Sequence, residues 1–140
     1  MARRLHLFFI PALMLALPAA AQDGPQGIAF VQAPEQGAGV CLGASPEEGF
    51  SCAVDQCMES GAANEDCIRT NWCQPAGWSV DIFVQHQEGL HWHEVICGLP
   101  TEAIARKAAE AACDPAERDY LLECSIVQMY DPEGAEQISY

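Results

Sequence analysis

A cysteine frame that occurs twice constrains this chain more than any other feature. Cys41, Ser45, Cys57 and Cys67 are answered by Cys97, Thr101, Cys113 and Cys124, the first three at an offset of 56 residues and the last at 57. Upstream, Phe30-Val31-Gln32 returns as Phe83-Val84-Gln85, offset by 53. A near-constant offset across cysteines, helix starts and a strand implies two copies of one supersecondary unit, residues 27–73 and 79–129.

The first 21 residues read as a secretory signal peptide: the basic head Met1-Ala2-Arg3-Arg4, an apolar run from Leu5 to Leu17, and Ala19-Ala20-Ala21 as a small-residue cleavage site. The run is too short to span a bilayer, and no later stretch reaches that length. The mature chain is therefore expected to be a single domain over residues 22–130 with a loose polar tail at 131–140, secreted or periplasmic. All eight cysteines lie in it, and an even count in an exported chain reads as disulfides, each worth about 2–4 kcal/mol.

Cleavage would leave Arg69, Arg106, Lys107 and Arg118 against 20 acidic residues, a net charge of −16. Such a surface repels phosphate backbones and anionic headgroups, which argues against nucleic acid and membrane partners. It suits a cationic protein, peptide or envelope component, or simple solubility.

Ser45-Pro46-Glu47-Glu48 is a helix start with a capping box, followed by an apolar stripe at Phe50, Ala53, Val54 and Cys57 and a stop near Gly61. Thr101 caps a second, alanine-rich helix through Cys113. Strands are expected at Ile28–Val31, Val40–Leu42, Cys67–Cys73, Ser79–Gln85, Leu90–Cys97 and Tyr120–Met129, with Pro34-Glu35-Gln36-Gly37 as a turn in which Gly37 takes the positive φ. The unit is strand–strand–helix–strand, twice. That predicts an α+β fold with a mainly antiparallel sheet, pseudo-symmetric, with both helices on one face.

The run Gly27-Ile28-Ala29-Phe30, the capped helices ending in Cys57 and Cys113, and the strand cysteines Cys67 and Cys124 resemble the small secreted bacterial proteins of the domain of unknown function 4189 family. The resemblance covers residues 27–128, and this chain carries cysteines beyond the family pattern. It implies fold and export and brings no activity with it.

Equivalent positions of a repeat make equivalent bonds, so Cys57–Cys67 and Cys113–Cys124 are the expected local staples. Cys52 and Cys73 have no cysteine counterpart. A Cys52–Cys73 bond would leave Cys41–Cys97, which symmetry favours; Cys41–Cys52 with Cys73–Cys97 is the rival. No Cys-x-x-Cys knuckle exists, so zinc or redox chemistry on the cysteines lacks its motif.

The most chemical-looking group is His86, His91 and His93, around one hairpin. A two-residue loop, Glu88-Gly89, would pair His86 with His91 and gather three imidazoles into a zinc or copper site. A three-residue loop, Gln87-Glu88-Gly89, pairs His86 with Leu90 and separates them, and it collects Ile82, Val84, Leu90, Trp92 and Ile96 on one face. No cofactor is otherwise implied. Trp72, Trp78 and Trp92 read as core rather than as a ligand platform. No nucleophile elbow or phosphate loop occurs, so the leading reading is a non-enzymatic, disulfide-stapled binding domain, with the histidine metal site as the alternative.

Overall fold

The structure is a computed structural model and describes residues 24–137. The expected signal peptide lies outside the described residues. The element order is β1 (Gly27–Ala33), β2 (Gly37–Gly43), α1 (Pro46–Glu59), a 3-10 turn (Asn64–Asp66), β3 (Ile68–Cys73), β4 (Trp78–His86), β5 (His91–Leu99), α2 (Glu102–Ala112), β6 (Leu121–Tyr130) and β7 (Glu136–Gln137).

The class is α+β, and every strand pair is antiparallel. The arrangement differs from the expectation in two ways. Among the described residues there are two sheets, β2-β1-β3 and β5-β4-β6-β7, instead of one, and the helices lie on opposite outer faces instead of on one. In each unit the first strand lies between the other two. α1 presents Ala53 and Cys57 to Ala29, Val31 and Cys41 of the first sheet. α2 presents Ala105 and Ala109 to Val80, Ile82, Val84 and Met129 of the second. Between the sheets, Ile28, Phe30 and Tyr130 pack with Val95 and Cys97, and Phe30 meets Tyr130 edge-on at 5.5 Å. The physical reason is β1: Ile28 to Val31 are all buried, so this strand needs cover on both faces and takes a helix on one and a sheet on the other.

Both helix starts follow the sequence. Ser45 Oγ accepts from the Glu48 amide at 3.2 Å, and Glu48 reaches back to the Ala44 amide at 2.9 Å. Thr101 Oγ1 accepts from the Ile104 amide at 3.2 Å. The buried stripe of α1 is Gly49, Ala53 and Cys57, rotated from the expected one so that its smallest residues meet the sheet. Phe50 moves to the flank, 6.3 Å from the Trp72 ring and beneath the Arg69 guanidinium at 5.4 Å.

This close approach accounts for the glycines of β2. A Cβ on Gly39 would fall on the Ala53 carbonyl, one on Gly37 on the Ser60 hydroxyl, and one on Gly43 would lie 2.5 Å from the Gly49 amide nitrogen. Gly37 is thus a packing residue. The positive φ of the preceding turn, +61°, belongs to Glu35. Pro34 and Glu35 are the central residues of a type II turn closed by Gln36 N–H donating to the Ala33 carbonyl at 3.0 Å.

Disulfides join Cys57–Cys67 and Cys113–Cys124. The other four cysteines pair as Cys41–Cys52 and Cys73–Cys97, replacing the expected Cys41–Cys97 and Cys52–Cys73. Layering decides this. Cys41 faces α1, whereas Cys73 and Cys97 border the inter-sheet core, so the first sheet stands between the members of each expected pair. Cα atoms must come within about 7 Å to be bridged, and the observed pairs sit at 5.8 and 5.9 Å.

The expected loose tail folds back through Gln137. Asp131 accepts from the Glu133 and Ala135 amides at 3.0 and 2.9 Å, and β7 pairs with Met129 and Tyr130.

Gly39→Ala is expected to lower stability by about 1–3 kcal/mol, since an added methyl forces α1 away from β2. Denaturant unfolding measures it, and an unchanged midpoint would contradict the close approach.

Candidate functional site

The covalent link between the two sheets lies at one end. There Cys73–Cys97 links β3 to β5, and Asn71 Nδ2 donates to the Val95 carbonyl at 3.2 Å. At the other end the space between the sheets opens into a cleft of about 810 Å³. The β1–β2 turn, residues 34–36, forms one wall. Asp81 and Phe83 of β4, Leu90 just before β5, and His91 and His93 at its start form the other.

The hairpin register sets which side chains reach this cleft. Gln85 pairs with His91 and Phe83 with His93. His86 N–H donates to the Leu90 carbonyl at 2.7 Å, and Gly89, at φ +95°, completes a three-residue loop. The loop is the longer of the two alternatives, and the imidazoles separate accordingly. His86 stacks on Tyr120 at 5.0 Å on the opposite face, with its Nδ1 accepting from the Glu88 amide at 3.1 Å. His91 and His93 flank the Phe83 ring, each 5.8 Å away. The three-histidine cluster is therefore not assembled. Among the described residues no group of three or more histidine, cysteine or carboxylate side chains converges to hold a metal. Leu90 does not join the core face either; it is 68% exposed at the cleft. Trp72 packs on the first helix core, and Trp78 and Trp92 pack on the second.

Each cleft histidine meets a carboxylate. His93 Nδ1 lies 3.0 and 3.2 Å from the two oxygens of Asp81. His91 Nε2 lies 3.3 Å from Glu35. The two pairs differ in burial: the Asp81 side chain is 17% exposed and that of Glu35 76%. Burial pushes the Asp81 carboxyl above its ordinary 3.8, and the charge and hydrogen bond of His93 oppose that rise. Burial, with the charges of Glu136 and Asp81, also pushes the Tyr130 hydroxyl well above its usual range. The exposed Glu35 pair contributes less than about 1 kcal/mol. Among the described residues no lysine or arginine lines the cleft. Glu94, adjacent to His93 in sequence, faces the other way and pairs with Arg118 at 3.0 Å.

Glu35, Asp81 and Phe83 are the site residues that motif reading passes over. Two of them carry a signal. Asp81 is the one carboxylate in the apolar run from Val80 to Val84, on the face opposite Val80, Ile82 and Val84, which are all fully buried. Glu35 occupies a left-handed turn position that glycine takes without steric cost and other L residues adopt at roughly 1–2 kcal/mol. Comparison with family models, curated proteins and solved structures gives no match for this chain.

The sign of the Asp81 effect is fixed by its raised value. The folded carboxyl keeps its proton to higher pH than the unfolded chain does. Its contribution to stability is therefore present below about 3.9 and is lost as pH rises through the folded value. Asp81→Asn is expected to raise the melting temperature relative to wild type at pH 7 and to lose that advantage at pH 3. Equal shifts at both pH values would show that burial of the charge is not the cause.

Proposed function

We propose that this chain is a non-enzymatic, exported, disulfide-stapled domain that binds a cationic group, the side chain of lysine or arginine on a peptide or protein, in the cleft between its two sheets. The observation that carries the reading is the lining: two carboxylates, Glu35 and Asp81, beside the Phe83 ring, with no lysine or arginine among the lining residues.

The physical argument is cumulative. A partly buried carboxylate gains from a cation placed beside it. An aromatic face beside it adds a cation–π contribution of about 0.5–2 kcal/mol. The formal charge of −14 for the whole chain raises the local concentration of positively charged ligands. A role of its side chain in this wall accounts for Glu35 at a glycine-favouring position. Four disulfides fit an oxidising compartment. A secreted or periplasmic location, and membership of the family that the repeat resembles, belong to the same proposal.

Titration of the pure protein with N-acetyl-lysine amide, followed by NMR, tests the reading. Binding is expected to weaken at least about tenfold in an E35Q/D81N double variant, a loss of about 1.4 kcal/mol, and to weaken as salt screens the carboxylates. Glu35→Gly is expected to weaken binding while leaving fold stability unchanged or raised by about 1 kcal/mol, because the turn strain is relieved. Affinity indifferent to the double substitution would remove the cleft as the site.

A further inference from the structure

The cleft has an open strand edge beside it. Because His86 N–H donates to the Leu90 carbonyl, the hydrogen-bonded pairs of the β4–β5 ladder fall on Val84–Trp92 and Ile82–Glu94. The alternate pairs, Gln85–His91, Phe83–His93 and Asp81–Val95, turn their β5 amides and carbonyls away from β4. The Val95 carbonyl does point outward, since Asn71 of β3 donates to it from that side at 3.2 Å. Further along, β5 has no strand neighbour on this side among the described residues. The outward N–H and C=O groups of His91 and His93 thus form a short free edge, while their side chains line the cleft.

We propose that an extended peptide segment bearing lysine or arginine adds as a strand to the outer edge of β5 at His91–His93, with its alternate basic side chains entering the cleft beside Phe83, Glu35 and Asp81. The proposal rests on the cationic reading of the cleft and names the form its ligand takes. Strand addition explains how one segment meets both features. Neighbouring strands lie about 4.8 Å apart, and alternate side chains share a face, so a strand pairing with His91–His93 directs every second side chain over the face that carries Phe83 and Asp81. Backbone pairing supplies affinity without side-chain identity, and the acidic cleft supplies selection for positive charge. The free edge is also the kind of template that proteins otherwise blunt. On the far side of the same sheet, the β4–β6 pairing is irregular at Asp81/Ile82 and at Gln85/His86 and β7 covers β6 at Met129 and Tyr130, whereas the β5 side from Val80 to Gln85 is regular.

The test uses a five-residue peptide alternating threonine and lysine, blocked at both ends, and two analogues N-methylated on alternate residues in either phase. The intact peptide is expected to bind at least about tenfold more tightly than N-acetyl-lysine amide. One methylated phase should lose at least about tenfold and the other should retain affinity, because only one set of amides faces β5. The His91 and His93 amides should become protected from hydrogen exchange on binding. Measured against His93→Ala, which shares the loss of the imidazole, His93→Pro should bind the peptide at least about tenfold more weakly, since proline removes an outward N–H that the β4 ladder does not use. If both methylated analogues match the parent peptide, or if the peptide binds no better than lysine amide, strand addition is overturned while the cationic cleft stands. If neither the amide nor the peptide binds, the cleft reading itself fails.

Discussion

The Cys73–Cys97 bridge is the constraint on which the arrangement of the two sheets depends. It joins an edge strand of one sheet to an edge strand of the other, across 24 residues of sequence, and the Asn71–Val95 hydrogen bond reinforces it two residues inward. No ladder connects β3 to β5. Each sheet has its own helix and its own core, with two local disulfides in the first unit and one in the second. Pinning them at one end fixes the face between them and leaves the other end to open. The six residues from Cys97 back to His91 span roughly 20 Å of strand. Along that length the inter-sheet space passes from the packed cluster around Phe30 and Tyr130 to the acidic cleft.

The rest of the packing follows from small side chains. Ala29, Ala33, Ala53, Ala105 and Ala109 are all nearly or fully buried, and β2 offers glycines where α1 crosses it. Close approach of helix to sheet gives good dispersion contact but little apolar area per residue. A domain this small buries a modest fraction of its surface. Four covalent links, two of them closing loops of 11 residues and one of 10, restrict the unfolded chain and offset that shortfall. The larger aromatic residues serve the edges of these cores. Trp72 lies over Gly27 and Gly49, where any Cβ would collide with its ring.

Local features were legible in the sequence because local chemistry determines them. Ser45 and Thr101 cap the helices where their side chains imply. The longer hairpin loop follows from Gly89 and from the face it assigns to Ile82, Val84 and Trp92. The layer order was hidden because the repeat specifies each unit and not how the units meet. One signal did point to it: Ile28 to Val31 is apolar at consecutive positions, which a one-sided sheet does not require. The symmetric disulfide choice failed for the same reason, since chain symmetry carries no information about which face of a sheet a cysteine occupies. Gly37 looks like a turn residue in the sequence because Pro34 precedes it at turn spacing, while the helix end that needs its missing side chain, at Ser60, lies far along the chain. The cleft was half visible. His91 and His93 marked it, but their partners, Glu35 on a turn and Asp81 within an apolar strand, come together only when the sheets do.

A disulfide map of the non-reduced protein by peptide mass spectrometry tests the central claim most directly. The account predicts Cys73 linked to Cys97 and Cys41 linked to Cys52, because the sheets meet at the edges of β3 and β5 with α1 outside. Recovery of Cys41 linked to Cys97 and Cys52 linked to Cys73 would contradict it, since neither bond is possible with the first sheet standing between its ends.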